Sequence, residues 1–275
     1  MRERLKIGIC QWALPMEGPY GSKLASELGL EGIQLDIGTN KRGFLLSNKF
    51  VQEAYLEFGK EFGISFPSIA IPELDNFSML APEGSRDREI ANKAIRKAIE
   101  TAEAMKISLV MIPSFNKSEI KTEADFEQAV DCLQNACDYA KNKGIIIGTE
   151  NLLSVNDVKL LFKKVNRSNL KLYFDTQNYS LNKGYNTAEM LELLISYICE
   201  VHVKDGKNGD LSGALLGKGD ANFYNSMKVL KKYNYSGWII LENYYDQEPL
   251  SLQNNSLVEL LKQDIETLKE VINWR

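Results

Sequence analysis

His202 is the only histidine among 275 residues, and it lies in Cys199–Asp205, C-E-V-H-V-K-D. Val201 and Val203 flank it, and a charged, glycine-bearing segment follows at once, as expected where a buried strand emerges into a functional loop. Three other apolar runs of the C-terminal half end in a carboxylate: Glu150 after G-I-I-I-G-T, Asp175 after L-K-L-Y-F, and Glu242 after G-W-I-I-L. Taken singly, each residue has an ordinary reading. A lone imidazole is often a satisfied core group, and a carboxylate at such a place is commonly solvated or caps a turn, as Asp175 would around Thr176. Taken together, strand ends in Glu, Asp, His and Glu point to one divalent-metal site. Three carboxylates and an imidazole suit Mn2+, Mg2+ or Co2+, with zinc left open. A structural zinc would more usually recruit thiolates, and no cysteine is expected in the company of these four.

The elements that must position them are legible as alternation. Strands are expected at Leu5–Cys10, Gly32–Ile37, Ile64–Ile71, Leu109–Ile112, Ile145–Gly148, Leu170–Phe174, Cys199–Val203 and Trp238–Leu241. Helices are expected at Ser22–Leu28, Lys49–Phe62, Arg86–Lys106, Ala124–Lys141, Val155–Val165, Thr187–Leu194, Ala221–Lys232 and Leu257–Val271. Eight β–α units without a linker predict an α/β chain folded as a single (β/α)8 TIM barrel over residues 1–275. No G-x-G-x-x-G follows the first strand, which removes the usual sign of a dinucleotide-binding sheet. A barrel gathers its chemistry at the C-terminal strand ends. The spacings 150–175, 175–202 and 202–242 each match one β–α–β step, the last lengthened by Gly206–Asp220. Neighbouring strands lie about 4.8 Å apart, so their ligands can converge on one ion.

Composition narrows the function. The hydrophobic fraction of 44% supports a large core, and a formal net charge of −4 offers no basic stripe for nucleic acid. Four cysteines, Cys10, Cys132, Cys137 and Cys199, show no C-x-x-C spacing and fit reduced thiols. The N-terminus M-R-E-R-L-K-I-G-I-C lacks the apolar core of a signal peptide, and no run is long enough to span a membrane. The expectation is a soluble, cytoplasmic protein acting on a small molecule, with no nucleic acid or membrane partner and with homo-oligomerisation left open.

The segments G-T-E-N, F-D-T-Q-N, H-V-K-D and L-G-K-G-D…Y-S-G-W-I-I-L-E-N resemble the sugar-phosphate isomerase/epimerase family of xylose-isomerase-like barrels, which includes the D-tagatose and D-psicose 3-epimerases. The specific motifs fall within Gly148–Asn243. The resemblance implies that Glu150, Asp175, His202 and Glu242 hold one divalent metal and that Glu150 and Glu242 also exchange protons with substrate. In the free-ketose 3-epimerases a glutamate, a histidine and an arginine that hold sugar hydroxyls stand where this chain has Asn156, Asn178 and Asn208. These departures point away from a simple free ketohexose.

The chemistry expected of such a site is epimerisation of a ketose, sugar phosphate or related derivative. Metal chelation stabilises the enediolate formed when the C–H beside the carbonyl is deprotonated. One glutamate removes that proton and the other returns one to the opposite face. Aldose–ketose isomerisation on the same scaffold is the alternative. An endonuclease IV-like hydrolase, which draws on several histidines, and a non-catalytic sugar-binding barrel rank lower. Xylose isomerase proper requires a strand-two histidine that this chain lacks. For substrate contacts the candidates are Trp12, Asn178, Lys204 and Lys218; the lysines could bind a phosphate or carboxylate with the N–H groups of Gly217 and Gly219.

Overall fold

Strands buried on both faces must be apolar almost throughout, and the chain supplies eight such runs. The computed structural model describes residues 5–273. Among them the strands are β1 (Lys6–Cys10), β2 (Gly32–Asp36), β3 (Ser68–Ala70), β4 (Leu109–Pro113), β5 (Ile146–Glu150), β6 (Leu170–Asp175), β7 (Ile198–Val203) and β8 (Trp238–Leu241). They follow one another in sequence order around a closed barrel, and β8 pairs in parallel with β1. The expected barrel is the observed one.

The α-helices among the described residues are α1 (Gly21–Glu27), α2 (Lys49–Phe62), α3 (Arg86–Met105), α4 (Glu123–Lys141), α5 (Val155–Val165), α6 (Asn178–Lys183), α7 (Thr187–Leu194), α8 (Phe223–Lys232) and α9 (Leu257–Ile272). Their starts are chemically marked. Thr122 with Asp125 and Ser256 with Glu259 form capping boxes at α4 and α9, each satisfying otherwise unpaired amides. None of the helices is long and apolar enough to cross a membrane. The N-terminal tetrapeptide used in the leader-peptide reading lies outside the described residues.

Two expectations are corrected. The strand expected over Ile64–Ile71 is only Ser68–Ala70, because Pro67 has no N–H to give the ladder. Ahead of it Ser65 makes only an isolated bridge to Gly32. The short helix α6 was not expected: N-Y-S-L-N-K carries no apolar period, and the carboxylate of Asp175 starts it from outside.

Two compact units share the chain. One comprises the chain through Gln34, Phe58–Ser65, and everything from Phe174 on; the other comprises Leu35–Glu57 and Phe66–Tyr173. The divisions fall inside β2 and β6. In the first unit β1 pairs with β2 at Cys10 and Gln34, and β7 pairs with β8 at His202 and Ile240. In the second, β4 and β5 run in register from Leu109–Ile146 to Pro113–Glu150. Gly8 of β1 marks how closely the first unit is packed. A Cβ there would meet Ile240 Cδ1 at 2.7 Å and the Gly32 carbonyl oxygen at 3.0 Å. Gly8→Ala should therefore cost about 1–3 kcal/mol of stability through overpacking, read as a lower urea midpoint at unchanged m-value. An unchanged midpoint would mean that the strands give way freely at this point.

Candidate functional site

Asp175 ends β6, His202 is the penultimate residue of β7, and Glu242 follows β8, its N–H bonded to the Val203 carbonyl at 3.0 Å. All three are buried within one unit. The two carboxylates divide their work by oxygen. Asp175 Oδ1 accepts the N–H groups of Gln177 at 2.7 Å and Asn178 at 2.5 Å. It thereby caps α6, the modest role that a lone aspartate there suggests. Its Oδ2 takes no hydrogen bond and instead faces the Lys204 ammonium at 3.2 Å. Glu242 Oε1 accepts the Trp12 indole N–H at 3.2 Å; Oε2 accepts from Lys204 Nζ at 2.6 Å and lies 3.3 Å from His202 Nδ1. Burial pushes the Glu242 carboxyl up, but His202, Lys204 and Trp12 outweigh it and hold the group below the usual carboxylate range.

The imidazole is oriented from behind. Nε2 lies 2.7 Å from Gln34 Oε1, and since an amide oxygen can only accept, Nε2 carries the proton. Nδ1 is the nitrogen that faces Glu242: the imidazolium presents an N–H to that carboxylate, and the neutral ring presents its lone pair there. The Cys10 thiol donates to the same Gln34 oxygen at 3.3 Å and sits 3.4 Å from Nε2. The expectation that no cysteine accompanies the site is thus corrected. Cys10, His202 and Glu242 present ligand-type atoms within 4.8 Å of one another. Cys10 and Glu242 nevertheless touch different ring nitrogens, so an ion on Nδ1 has the thiol behind the ring. Gln34 and Cys10 were missed as site residues, although their places in β2 and β1 were legible; neither type announces itself when its partner is 168 or 192 residues away.

The substrate candidates have separate fates. Trp12 and His202 form a T-shaped ring pair, centroids 6.3 Å apart at 85°. Asn178 is buried at the start of α6. Lys204 is only 2% exposed and turned onto the carboxylates, not outward on a loop. Lys218 is exposed. Glu150 is the last residue of β5 and is buried in the other unit, its carbonyl accepting the Ser114 N–H at 2.8 Å.

The glycine amides expected to cradle an anion already hold one. Asp205 Oδ2 accepts the N–H groups of Gly217 at 2.9 Å and Gly219 at 3.1 Å, and Oδ1 accepts those of Gly206 and Ala221 at 3.0 Å each. A Cβ at Gly219 would lie 2.2 Å from Asp205 Oδ1, so only glycine permits this approach. Burial pushes the Asp205 carboxyl up while the four amides draw it back. Gln177 pins the same loop, accepting from Ser212 N–H at 2.9 Å and donating to the Asp210 carbonyl at 2.7 Å.

Beneath that loop, Asp264 of α9 accepts from Leu216 N–H, Asn243 Nδ2 and Tyr245 Oη at 2.8, 2.7 and 2.9 Å. Asn243, next to Glu242, also accepts the Asp205 N–H at 3.0 Å. Burial raises the Asp264 carboxyl to about 7 against these three donors. Because the folded value lies above the unfolded one, its contribution is complete below about pH 4 and is lost as pH rises through about 7. Asp264→Asn imitates the protonated form. The gap between urea midpoints at pH 5 and pH 8 should therefore shrink in the variant relative to wild type. An unchanged gap would show that Asp264 is ionised throughout this range.

Comparison with known proteins agrees with this architecture. The chain is 24% identical over 229 residues to 2-epi-5-epi-valiolone 7-phosphate 2-epimerase of an Actinoplanes species, covering 82% of each protein. It is 26% identical over 269 residues to a Haemophilus influenzae protein named for L-ribulose-5-phosphate 3-epimerase activity, covering 89% of this chain and 91% of the other. The solved D-psicose 3-epimerase of Clostridium cellulolyticum H10 superposes with a TM-score of 0.78 at 14% identity, over 98% of this chain and all of that one. The sequence pattern described as xylose isomerase-like TIM barrel matches residues 22–271, and the chain belongs to that family.

Proposed function

We propose that this protein is a divalent-metal-dependent epimerase of a polyhydroxylated ketone, a sugar phosphate or a related sugar derivative. The observation that carries the reading is the convergence of Asp175 Oδ2, Glu242 Oε2 and His202 Nδ1, with the imidazole tautomer set by Gln34. Relatives named as epimerases of sugar or cyclitol phosphates support the reaction class.

The donor set fits a hard or borderline divalent ion such as Mn2+, Mg2+ or Co2+. Carboxylate oxygens and one neutral imidazole are presented, and one buried oxygen, Asp175 Oδ2, lacks a hydrogen bond. We assign the ion to Asp175, His202, Glu242 and Glu150; Glu150 is included because it is buried and ends β5 as Asp175 ends β6. A bound ion would supply Lewis acidity that makes the C–H beside the substrate carbonyl easier to deprotonate.

The protein's own groups do the rest. Glu242 is the proposed base for one face of the reacting carbon, with the Trp12 indole N–H on Oε1 orienting its carboxylate. Glu150 is the proposed partner base for the other face of the reacting carbon. Trp12 presents an indole beside the imidazole, suited to the C–H face of a sugar. Asn178 and the exposed Lys218 remain the proposed contacts for the distal part of the substrate, a phosphate included. With Gly217 and Gly219 occupied by Asp205, a phosphate would depend on side chains rather than on those amides.

His202→Ala should abolish Mn2+ binding, and Gln34→Leu should weaken it about 10- to 100-fold by releasing the ring. Calorimetry that finds either variant unchanged would remove the ligand assignment. Epimerase and isomerase separate by isotope. In saturating metal, Glu150→Gln and Glu242→Gln should each retain deuterium exchange with only one epimer, and with opposite ones. Wild-type transfer of substrate tritium to the adjacent carbon would establish aldose–ketose isomerisation instead. Lys218→Ala should raise KM for a phosphorylated substrate and leave kcat, since an anion remote from the reacting carbon is held equally in ground and transition states. An equal change with the unphosphorylated analogue would remove the phosphate role.

A further inference from the structure

The cation seated among the proposed metal ligands is the protein's own. Lys204 follows β7, yet its side chain turns inward and is buried. Its ammonium lies 2.6 Å from Glu242 Oε2 and 3.2 Å from Asp175 Oδ2. These are the oxygens left over once the structural contacts are subtracted. Asp175 Oδ1 is held by two backbone amides and Glu242 Oε1 by the Trp12 indole. Lys204 therefore contacts the same two oxygens that a divalent ion on His202 Nδ1 would need.

We propose that Lys204 is a positioning residue that stands in for the metal. It holds Asp175 and Glu242 in ligand geometry in the metal-free protein, and its ammonium leaves Asp175 Oδ2 and Glu242 Oε2 when a divalent cation binds. This inference rests on the metal site proposed above. Two buried carboxylates without a counter-charge would repel each other and be poorly solvated, so a single positive charge keeps the site folded and open. The same charge opposes the arriving ion, since a divalent cation and an ammonium sharing two oxygens in a buried pocket repel strongly. The ion supplies two charges where the lysine supplies one. The lysine thus preserves the ligand arrangement at the expense of affinity.

The test is metal affinity, measured without substrate. Isothermal titration of Mn2+ into metal-stripped wild type and Lys204→Met should show tighter binding in the variant by about tenfold or more. The melting temperature of the metal-free variant should fall, and saturating Mn2+ should raise it by more than it raises wild type. A lysine that merely braced the structure would give the opposite sign, because a loosened site binds metal more weakly. Should Lys204→Met fail to fold, Lys204→Gln serves, together with reductive methylation of the wild type mapped by mass spectrometry. Lys204 should resist methylation in the stripped protein and become reactive with Mn2+. Equal or weaker Mn2+ binding by the variant, or unchanged methylation, overturns the displacement while leaving the metal site in place. Binding by the variant but not by wild type supports it. If neither protein binds Mn2+, the metal site and the displacement fall together.

Discussion

Burying like charges side by side is the constraint around which this unit is arranged. Asp175 and Glu242 are removed from water at the ends of β6 and β8, on either side of β7, where an uncompensated carboxylate is strongly disfavoured. The chain meets this by giving every oxygen of the pair a partner. Backbone amides take Asp175 Oδ1 and the Trp12 indole takes Glu242 Oε1, while the Lys204 ammonium contacts Asp175 Oδ2 and Glu242 Oε2 and the imidazole lies beside the latter. The partners lie after β1, after β6 and at the end of β7, so the electrostatic need also ties β1, β6, β7 and the segment after β8 together.

The same logic recurs one layer out. Asp205 is enclosed by four amides of its own loop, and Asp264 lies beneath it with three donors of its own. Asn243 joins the two by accepting from the Asp205 amide and donating to Asp264. Charged groups are thus staged from the barrel mouth toward α9. Each is satisfied by neighbours that also fix the backbone close to Lys204 and Glu242. Buried polar networks of this kind specify one arrangement because an altered one strands several groups at once.

Much of this was legible in sequence because it follows from periodicity. Apolar runs of strand length, each followed by a helix and its stop, predict the barrel, and the positions of Asp175, His202 and Glu242 follow from where those runs end. What escaped was whatever depends on a side chain meeting a distant one. Nothing local distinguishes Gln34 from any glutamine on a strand, and Cys10 is simply a small buried residue until β1 meets β2. Lys204 shows the limit most plainly. In H-V-K-D it reads as the first charged residue of a solvated loop, and only the folded chain reveals that the side chain turns back. Gly217 and Gly219 misled for the complementary reason. They do form an anion-binding concavity, but the anion is encoded twelve and fourteen residues earlier in the chain.

That self-filled concavity bears on how the loop after β7 can change. Because Asp205 and Gln177 hold its base, ordering that backbone is completed during folding and adds no conformational entropy cost when a ligand arrives. The tip, residues 207–211, stays exposed to solvent. Backbone and side chains are therefore separable at the tip, where Gln177 holds the Asp210 carbonyl while the side chains face solvent. Substitutions at the tip can vary what the barrel mouth presents while the base keeps its shape, which gives this segment room to diversify in recognition without disturbing the buried charges beside it.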